Sequence, residues 1–236
     1  MKMQIPKNNS TTTNESVALV AHDLQGIVRQ ISSLNEMLKT HLYPITNSDI
    51  NRIFNYLDQV CLQGQAITAD LMEIDELEMP FSLPSEVSSL NHLIREKAEM
   101  YLLHTNSKCI EFQLLLPERQ FFFQLNRSKF IRVLDNLFFN ALRFTPNKGC
   151  IQITLSDKNG NARIEIRDSG PGIPEEIHPS IFKKYPSYGL KHENSQSGLG
   201  LYIAKKIIEL HKGTIGFTSG ESGTSFFIEL KNGIIL

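Results

Sequence analysis

Apolar residues recur at heptad spacing near the start of the chain. In the first such segment, steps of three and four residues separate Val17, Val20, Leu24, Ile27, Ile31, Leu34 and Leu38. This is the spacing of the a and d positions of a coiled coil, and it predicts a long amphipathic helix. Pro44 ends the pattern, and Asn47, Ser48 and Asp49 offer an N-cap for a second helix.

The second predicted helix carries a wider apolar stripe. The same steps connect Ile50, Ile53, Leu57, Val60, Gly64, Ile67, Leu71 and Ile74, and the stripe is widened by Phe54, Cys61 and Met72. Two such helices with a short connection form an antiparallel hairpin. One hairpin cannot cover a stripe this wide, so the pattern predicts a dimer that forms a four-helix bundle. A coiled coil that only oligomerises, without chemistry, is the alternative at this point.

After the hairpin the pattern changes from heptads to short alternating runs. Pro80 and Pro84 mark a linker, placed at 80–86 between a hairpin at 15–79 and a second domain at 87–236. In that domain we expect helices at 90–104, 128–144 and 199–211, the last capped by Gly213, and strands at 110–116, 121–125, 151–155, 162–166, 214–219 and 224–230. Asn159 and Gly160 supply a hairpin turn. The predicted class is α+β: a helical hairpin plus an α/β sandwich with one sheet and helices on one face.

Two segments of the chain predict no regular element. Residues 1–14 form a polar leader without the apolar stretch of a signal peptide. Residues 173–197 contain three prolines and many polar side chains, and this length is typical of a mobile lid rather than of an ordinary connection.

Composition narrows the classes of function. Lys plus Arg is 24 and Asp plus Glu is 25, so the net charge of −1 argues against nucleic acid and against an anionic membrane as partners. No stretch of 18 apolar residues is present. The three cysteines, Cys61, Cys109 and Cys150, form neither a disulfide framework nor a zinc site, so we expect ordinary packing thiols in a reducing cytoplasm.

His22 falls on the outside of the first predicted helix. With Val17 at a and Val20 at d, His22 takes the f position, remote from the apolar seam, and Asp23 takes g. A packing role is therefore disfavoured, and a plain surface histidine is the alternative. Because successive helical side chains diverge, we expect no direct contact between His22 and Asp23.

One polar column follows the predicted helix at 128–144. Asn136, Asn140 and Arg143 are spaced four and three residues apart, on a different face from the core stripe. Asparagine is a poor helix former, and its amide oxygen can ligate Mg²⁺. Arg143 adds a positive charge suited to phosphate. A solvated polar face is the alternative.

A glycine-rich loop follows the strand that ends at Asp168. By alternation, Asp168 lies on the same face as Ile164 and Ile166, where a carboxylate is costly without a partner. A ligand amine is such a partner, and Gly170 and Gly172 would let the backbone approach a ligand. An ordinary Gly-Pro turn is the alternative.

A second glycine-rich stretch, residues 197–201, opens the last predicted helix. Free N–H groups and the helix dipole make such a terminus a site for anions. The stretch lacks the lysine of a P-loop and the spacing of a dinucleotide fingerprint, so alone it is weak evidence.

Taken together, and in this order, these segments resemble sensor histidine kinases. Residues 136–145 resemble their N box, 168–173 their G1 box, 198–201 their G2 box and Phe182 their F box. Residues 22–25 resemble the H box, in a variant carried by some phytochrome-like kinases. The resemblance covers residues 15–230. It departs from the family pattern at Gly26, at Ile27, where a proline is usual, and at Gln196, where a glycine is usual.

The resemblance implies an ATP-binding fold of the gyrase, Hsp90 and histidine kinase type. Asn140 would ligate Mg²⁺ with Asn136 beside it, Arg143 would contact phosphate, Phe144 would stack near the adenine, and Asp168 would accept from its amino group. The glycines Gly170, Gly172, Gly198 and Gly200 would shape the pocket and the lid hinges. The nucleotide site would be completed by Ile173, Phe182, Leu199, Leu201 and Thr224.

The activity implied by the resemblance is phosphoryl transfer from ATP to His22. Asp23 would orient His22 or take its proton, and the phosphoryl group would pass to an aspartate of a response-regulator receiver domain. The expected partners are a second copy of the chain, the response regulator and a separate sensor protein, with neither nucleic acid nor membrane. The alternatives are a phosphotransfer or scaffold protein with a degenerate ATP domain, and a related serine kinase or ATPase.

Overall fold

The computed structural model describes residues 10–44, 47–78, 84–106, 108–184, 198–231 and 233–235. These residues form two compact units, one made of 10–78 with 198–199 and the other of 84–184 with 200–235. The boundary falls at residue 80, beside the predicted linker, of which 80–83 lie outside the described residues. Within the described part of the chain, no helix has both the length and the apolar character needed to cross a bilayer.

The first unit is an antiparallel pair of long helices, α1 (Ser10–His41) and α2 (Ser48–Glu78). The predicted N-cap of α2 is confirmed: the side-chain oxygen of Asn47 accepts from the backbone N–H groups of Asp49 (2.8 Å) and Ile50 (3.3 Å). Because α1 begins at Ser10, the leader predicted at 1–14 is too long. Each residue added to an existing helix gains a hydrogen bond, which favours extension through these Ser and Thr residues.

The two helices pair through a face that differs from the heptad stripe of α1. Ala21 and Asn35 on α1 and Phe54 and Cys61 on α2 are buried. The stripe itself stays between 44% and 59% exposed at Val20, Leu24, Ile27, Ile31, Leu34 and Leu38. The pairing of α1 with α2 therefore leaves the predicted a/d seam uncovered.

A polar cluster lies within the hairpin. The side-chain amide of Asn35 donates to the backbone oxygen of Phe54 (3.2 Å) and to Oδ1 of Asp58 (2.5 Å). Lys39 pairs with the other oxygen of Asp58 and with Glu36. The hydrogen bond from Lys39 lowers the pKa of Asp58 and raises that of Lys39.

The second unit contains two sheets instead of the single sheet predicted. The strands are β1 (Glu86–Ser89), β2 (Glu111–Leu115), β3 (Phe121–Leu125), β4 (Cys150–Lys158), β5 (Asn161–Asp168), β6 (Thr214–Gly220), β7 (Gly223–Leu230) and β8 (Ile234–Ile235). The larger sheet has the order β2-β4-β5-β7-β6, in which β2 and β4 are parallel and the other neighbours antiparallel. The smaller sheet, β1-β3-β8, is antiparallel.

The difference from the predicted single sheet has a physical reason. β1 has four residues and β8 has two, too few to show an alternating pattern, so the prediction missed both. Without them β3 had no visible partner and was assigned to the larger sheet. Glu86, predicted as linker, is the first residue of β1.

Three helices complete the second unit: α3 (Leu90–Asn106), α4 (Arg127–Phe144) and α5 (Gly200–Leu210). α4 contacts β5, and α5 contacts α4 and β6. The predicted core stripe of α4 is confirmed, with exposures of 1% or less at Phe130, Leu134, Leu137, Phe138 and Ala141. Alternate residues of β4 and β5 are equally buried: Ile151, Ile153, Leu155, Ala162, Ile164 and Ile166.

Left-handed backbone occurs at the two turns for which the sequence predicts a glycine. The hairpin turn predicted at Asn159 and Gly160 is confirmed, with φ of 56° and 80° at the two residues. After α5, however, the left-handed residue is Lys212 (φ 57°), and the Gly213 N–H donates to the Ile208 oxygen (2.9 Å). Gly213 therefore ends the helix as the second residue of a Schellman motif rather than as its left-handed residue.

Candidate functional site

A hydrogen bond connects the polar face of α4 to α5. The side-chain amide of Asn136 donates to the backbone oxygen of Gly200, the first residue of α5, at 3.0 Å. A β-carbon at Gly200 would lie 3.0 Å from Asn136 Oδ1, so any larger residue there would push the Asn136 amide aside by a few tenths of an ångström. Asn140, one turn further along α4, is half-buried.

The carboxyl end of α4 contacts the first glycine-rich loop. A β-carbon at Gly170 would lie 2.9 Å from the Phe144 backbone oxygen, so the loop packs directly against the end of the helix. The Arg143 guanidinium lies 5.2 Å from the centre of the Phe144 ring, a cation–π distance. Partial burial lowers the pKa of Arg143, and Phe144 itself is 54% exposed.

The predicted inward position of Asp168 is confirmed, since the residue is only 5% exposed. Its Oδ1 accepts hydrogen bonds from the backbone N–H of Gly170 (2.8 Å) and of Thr224 (3.3 Å). Burial raises the pKa of the carboxyl, and these two bonds partly oppose that shift. Among the described residues, none donates to Oδ2, so this oxygen is available to a donor on a ligand.

The loop after Asp168 lies against the end of β6. Gly172 has a φ of 78°, and a β-carbon there would lie 2.2 Å from the Gly220 oxygen, so only glycine fits. The backbone N–H of Ile173 donates to the hydroxyl of Ser219 at 2.7 Å. Nε2 of His178 lies 2.9 Å from the oxygen of Ile173, and because a carbonyl only accepts, this nitrogen carries the proton.

The first part of the predicted lid is folded onto the sheet. Glu175–Ser180 form a 3₁₀ helix, and the His178 ring lies edge-on to Phe217 with a centroid distance of 5.0 Å. The Phe182 ring contacts Phe217 and Phe226, at 6.0 and 6.3 Å. The rest of the predicted lid, residues 185–197, lies outside the described residues, and Gln196 and Ser197 lie there with it.

The second glycine-rich stretch leads into α5 as predicted. Gly198 has a φ of 68°, Leu199 is 1% exposed, and Gly200 and Leu201 open the helix. The N–H groups in the first turn of a helix point out of its N-terminus, and together with the helix dipole they are suited to an anion.

His22 and Asp23 lie on α1, in the other unit, with side chains 67% and 70% exposed. Their contact corrects the sequence prediction: His22 Nδ1 is 3.5 Å from Asp23 Oδ1. Both side chains are free at the surface and can rotate toward each other, although their Cα–Cβ directions diverge. An exposed pair of this kind contributes little to stability, so its importance would be chemical.

Sequence reasoning missed three side chains that position the site. Ser219 and His178 hold the loop after Asp168, as described above. Asp135, next to Asn136, is joined to α3 by the Lys97 ammonium and the Tyr101 hydroxyl, each 2.8 Å from its Oδ1. None of the three belongs to a recognisable motif. Their roles become visible only in the fold, where β6 pairs with β7 and α3 contacts α4.

The side-chain oxygens of Asn136 and Asn140 fit a magnesium ion that a phosphate ligand also binds. In the part of the chain that the structure describes, no group of three or more His, Cys, Asp or Glu side chains could hold a metal. Mg²⁺ commonly takes one or two protein oxygens and completes its shell with phosphates and water. The amide of Asn140 could supply such an oxygen. The Asn136 amide nitrogen is already bonded to Gly200, which leaves only its oxygen for a metal.

The comparisons with known proteins agree with this geometry. Residues 126–234 match the family described as histidine kinase-, DNA gyrase B-, and HSP90-like ATPases. The chain is 32% identical, over 162 residues and 67% of its length, to the sensor histidine kinase TmoS of Ectopseudomonas mendocina, of which it covers 16%. The chain spans less than half the length of the curated relatives it matches.

Solved structures extend the comparison. The chain is 31% identical to the catalytic domain of the histidine kinase ThkA, with a TM-score of 0.54, and it covers 95% of that domain with 62% of its own length. Full-length ShkA, solved in complex with AMPPNP, is 19% identical with a TM-score of 0.75, and the match covers 92% of this chain and 45% of that one. At this identity the match to ShkA shows the fold alone: a helical region followed by the two-layer ATPase domain.

Proposed function

This chain belongs to the histidine kinase family, and on that basis we propose that it is an ATP-dependent protein histidine kinase of a two-component system. The observation that carries the proposal is the Asp168 carboxylate: buried, bonded through Oδ1 and open at Oδ2, beside the end of α4. A buried carboxylate with one free oxygen is suited to the amino group of adenine. The match to the family of histidine kinase-, DNA gyrase B-, and HSP90-like ATPases supports ATP as the nucleotide.

The remaining roles follow the geometry of α4 and its neighbours. Asp168 Oδ2 accepts from the adenine amino group, and Phe144, exposed at the end of α4, stacks near the base. Arg143 and the first turn of α5 face phosphate charge. Asn140 holds Mg²⁺, with Asn136 beside it; when bound, the ion supplies neutralisation of the phosphate charge. Gly170, Gly172, Gly198 and Gly200 allow the close approach of backbone to nucleotide.

The acceptor of the phosphoryl group is His22. Asp23 lies nearest Nδ1, so it stabilises the proton there and leaves the lone pair on Nε2 to attack the γ-phosphorus. The bond between the γ-phosphorus and the bridging oxygen breaks, ADP leaves, and the Nδ1 proton passes to Asp23 or to water. The phosphoryl group then moves to an aspartate carboxylate of a response-regulator receiver domain, which regenerates the imidazole.

The hairpin works as a dimer in this proposal. The a/d seam of α1 is about half exposed from Val20 to Leu38, and a second hairpin covers it in a four-helix bundle. A separate sensor protein as the source of input and a cytoplasmic location both stay predictions.

The proposal is tested by incubation with γ-labelled ATP and Mg²⁺. We expect the wild type to gain label that is lost in acid and kept in alkali, as phosphohistidine is, and we expect His22→Gln to gain none. The matched control is His41→Gln, because His41 is also exposed on α1 and, among the described residues, its ring bonds only to the Met37 oxygen of its own helix.

Other outcomes would identify the alternatives. Acid-stable label that persists in His22→Gln would indicate a serine kinase. Absence of nucleotide binding by calorimetry with Mg²⁺ would indicate a phosphotransfer or scaffold protein with a degenerate domain. No comparison favours either alternative.

A further inference from the structure

Ser219 lies at the end of β6, outside every motif of the nucleotide site. In the β6–β7 register it stands opposite Thr224, and its hydroxyl lies 3.0 Å from the Thr224 hydroxyl. The same Ser219 oxygen accepts the backbone N–H of Ile173 at 2.7 Å. It also lies 3.2 Å from where a β-carbon of Gly172 would stand, so the loop passes close above it.

The contacts of Ser219 form a continuous chain to the base-recognising carboxylate. Ile173 belongs to the loop that begins at Asp168, and the Thr224 N–H donates to Asp168 Oδ1. The Gly170 N–H donates to the same oxygen from the loop side. Ser219 therefore connects the two backbone segments that fix the direction of the Asp168 carboxylate.

We propose that Ser219 is a positioning residue for adenine recognition, which acts through Ile173 and Thr224 on Asp168 without itself touching the nucleotide. This inference rests on the proposed function, because it assumes that Asp168 accepts from the adenine amino group. The Asp168 carboxylate is 5% exposed, so small changes in its direction decide whether Oδ2 meets that amino group.

The Ser219 hydroxyl can bond to the backbone of one segment and to the side chain of the other at the same time. Ser219 already accepts from Ile173, and its single proton is free to be donated to Thr224 Oγ1. With that bond made, one hydroxyl holds the Ile173 and Thr224 segments together. Removal of the Ser219 hydroxyl leaves the Ile173 N–H without its acceptor and releases both segments.

The test compares two ligands rather than one. The Mg²⁺ complexes of ATP and of purine riboside triphosphate, which lacks the amino group, are titrated against the full chain by calorimetry. For Ser219→Ala we expect affinity for ATP to fall by about five- to tenfold, the size of one hydrogen bond. Affinity for the analogue should fall by less than about twofold, because the contact that Ser219 positions is absent from that ligand.

Two further variants complete the experiment. Ser219→Thr keeps the hydroxyl and should restore most of the preference for ATP over the analogue. Thr218→Ala, at the exposed neighbouring position of β6, should leave both affinities unchanged. Thermal unfolding of each unliganded variant records any general loss of stability.

The outcomes separate this inference from the proposed function. If Ser219→Ala loses affinity for both ligands by the same factor, Ser219 has only a structural role and the inference is overturned. The same holds if Ser219→Ala leaves the affinity for ATP unchanged while the wild type binds ATP well. A wild type that binds neither nucleotide would overturn the proposed function, and the inference with it.

Discussion

The two units of the chain bury their apolar residues in different ways. In the sheet-containing unit, the inward apolar residues of α4, β4 and β5 are 2% exposed or less, so the core closes within one chain. In the hairpin, the heptad stripe of α1 keeps about half of its surface, and the contact between α1 and α2 includes a polar cluster around Asn35 and Asp58. The first unit therefore leaves apolar surface that the proposed dimer would cover, whereas the core of the second unit is closed.

This difference assigns different physical tasks to the two units. A closed apolar core fixes the directions of Asn136, Asp168 and Thr224, as recognition of a nucleotide requires. An open hairpin presents His22 at its surface, where under the proposed function a phosphoryl group would reach it and leave again. The contrast predicts that changes in one unit spare the chemistry of the other, and the four predictions below test it in order of decreasing effect.

The largest effect is expected from a charge in the seam. Ile31 is 45% exposed in the single chain, and Ile31→Lys would place an ammonium group between two hairpins. Burial of an unpaired charge costs several kcal/mol, so we expect the dimer to dissociate or the hairpin to unfold. Light scattering at micromolar concentration measures the first and far-UV circular dichroism the second.

The control for the seam variant is Ser33→Lys, at an exposed position of the same helix. It should stay dimeric, and in both variants the affinity for nucleotide should match that of the wild type. If the wild type is a monomer at tens of micromolar, the proposed four-helix bundle is wrong. The contrast between an open core in the hairpin and a closed core in the other unit then fails as well.

The next effect concerns the base-recognising carboxylate. In Asp168→Asn the amide oxygen would keep the N–H bonds from Gly170 and Thr224, which turns the NH₂ group toward the amino group of adenine. Two donors then face each other, and we expect ATP to bind more weakly by about 1–3 kcal/mol. Asp157→Asn is the control, because Asp157 lies at the far, exposed end of β4.

The same site has a predicted pH dependence. Burial raises the pKa of Asp168 above its ordinary 3.8, so the unliganded carboxyl takes up a proton at higher pH than an exposed aspartate does. Adenine needs the ionised form, and the affinity for ATP should therefore fall as the pH drops through this raised value. In Asp168→Asn this part of the pH dependence should vanish; an identical profile in both proteins would remove Asp168 from the adenine site.

The elements that sequence patterns predicted well are those stabilised locally. α3 and α4 were predicted to within two residues of their ends, and the Asn126 cap of α4 is present, with Lys129 N–H donating to its side chain at 3.0 Å. Periodicity and capping depend on residues close in sequence, which one chain displays directly. β1 and β8 were missed because they are defined by pairing with β3, far away in sequence.

The residues of the candidate site also fall into two groups: those that the sequence reveals and those that only the fold reveals. Asn136, Asp168 and the glycines were found because their types are unusual where they stand, such as a carboxylate in a core-facing position. Ser219 and His178 are ordinary residues for a strand end and a loop. Their importance comes from contacts with Ile173, 46 and 5 residues away, that only the fold creates.

A third effect is expected from His211, which joins α5 to the start of α4. Its Nε2 accepts the backbone N–H of Asn126 (2.9 Å) and its Nδ1 lies 2.7 Å from the Ile207 oxygen, so the ring is neutral with the proton on Nδ1. Burial lowers its pKa below the ordinary 6.5. Its contribution to stability is therefore complete above pH 6.5 and is lost as the pH falls toward the lower, folded-state value.

The measurement is thermal or urea unfolding of the sheet-containing unit between pH 7 and 5. His211→Phe keeps a ring near Phe130 but leaves the Asn126 N–H unpaired, so it should lose about 1–2 kcal/mol at pH 7. It should also lose the part of the pH dependence that His211 supplies. An unchanged pH dependence in the variant would show that other groups cause it. The hairpin transition serves as the internal reference.

The smallest effect separates two glycines of the hairpin. A β-carbon at Gly26, on α1 near His22, would have no atom within 4 Å, whereas one at Gly64 would lie 3.1 and 3.3 Å from the two methyl groups of Val28. Alanine in a helix interior is favoured over glycine by up to about 1 kcal/mol. Gly26→Ala should therefore raise the melting temperature of the hairpin by roughly 4–8 °C for each kcal/mol gained. Gly64→Ala should gain less or lose, because Val28 must move.

These two variants test the contact between α1 and α2 without changing the a/d seam of α1. If both substitutions raise the melting temperature equally, α1 and α2 do not approach each other at Val28 and Gly64, and the face assigned to their pairing is wrong. If only Gly26→Ala raises the melting temperature, the rate at which this variant gains label from ATP is informative as well. Gly26 is the residue that loosens α1 beside His22. A slower gain of label in a more stable hairpin would then show that the open unit depends on helix flexibility, whereas the closed unit, with its nucleotide affinity unchanged, does not.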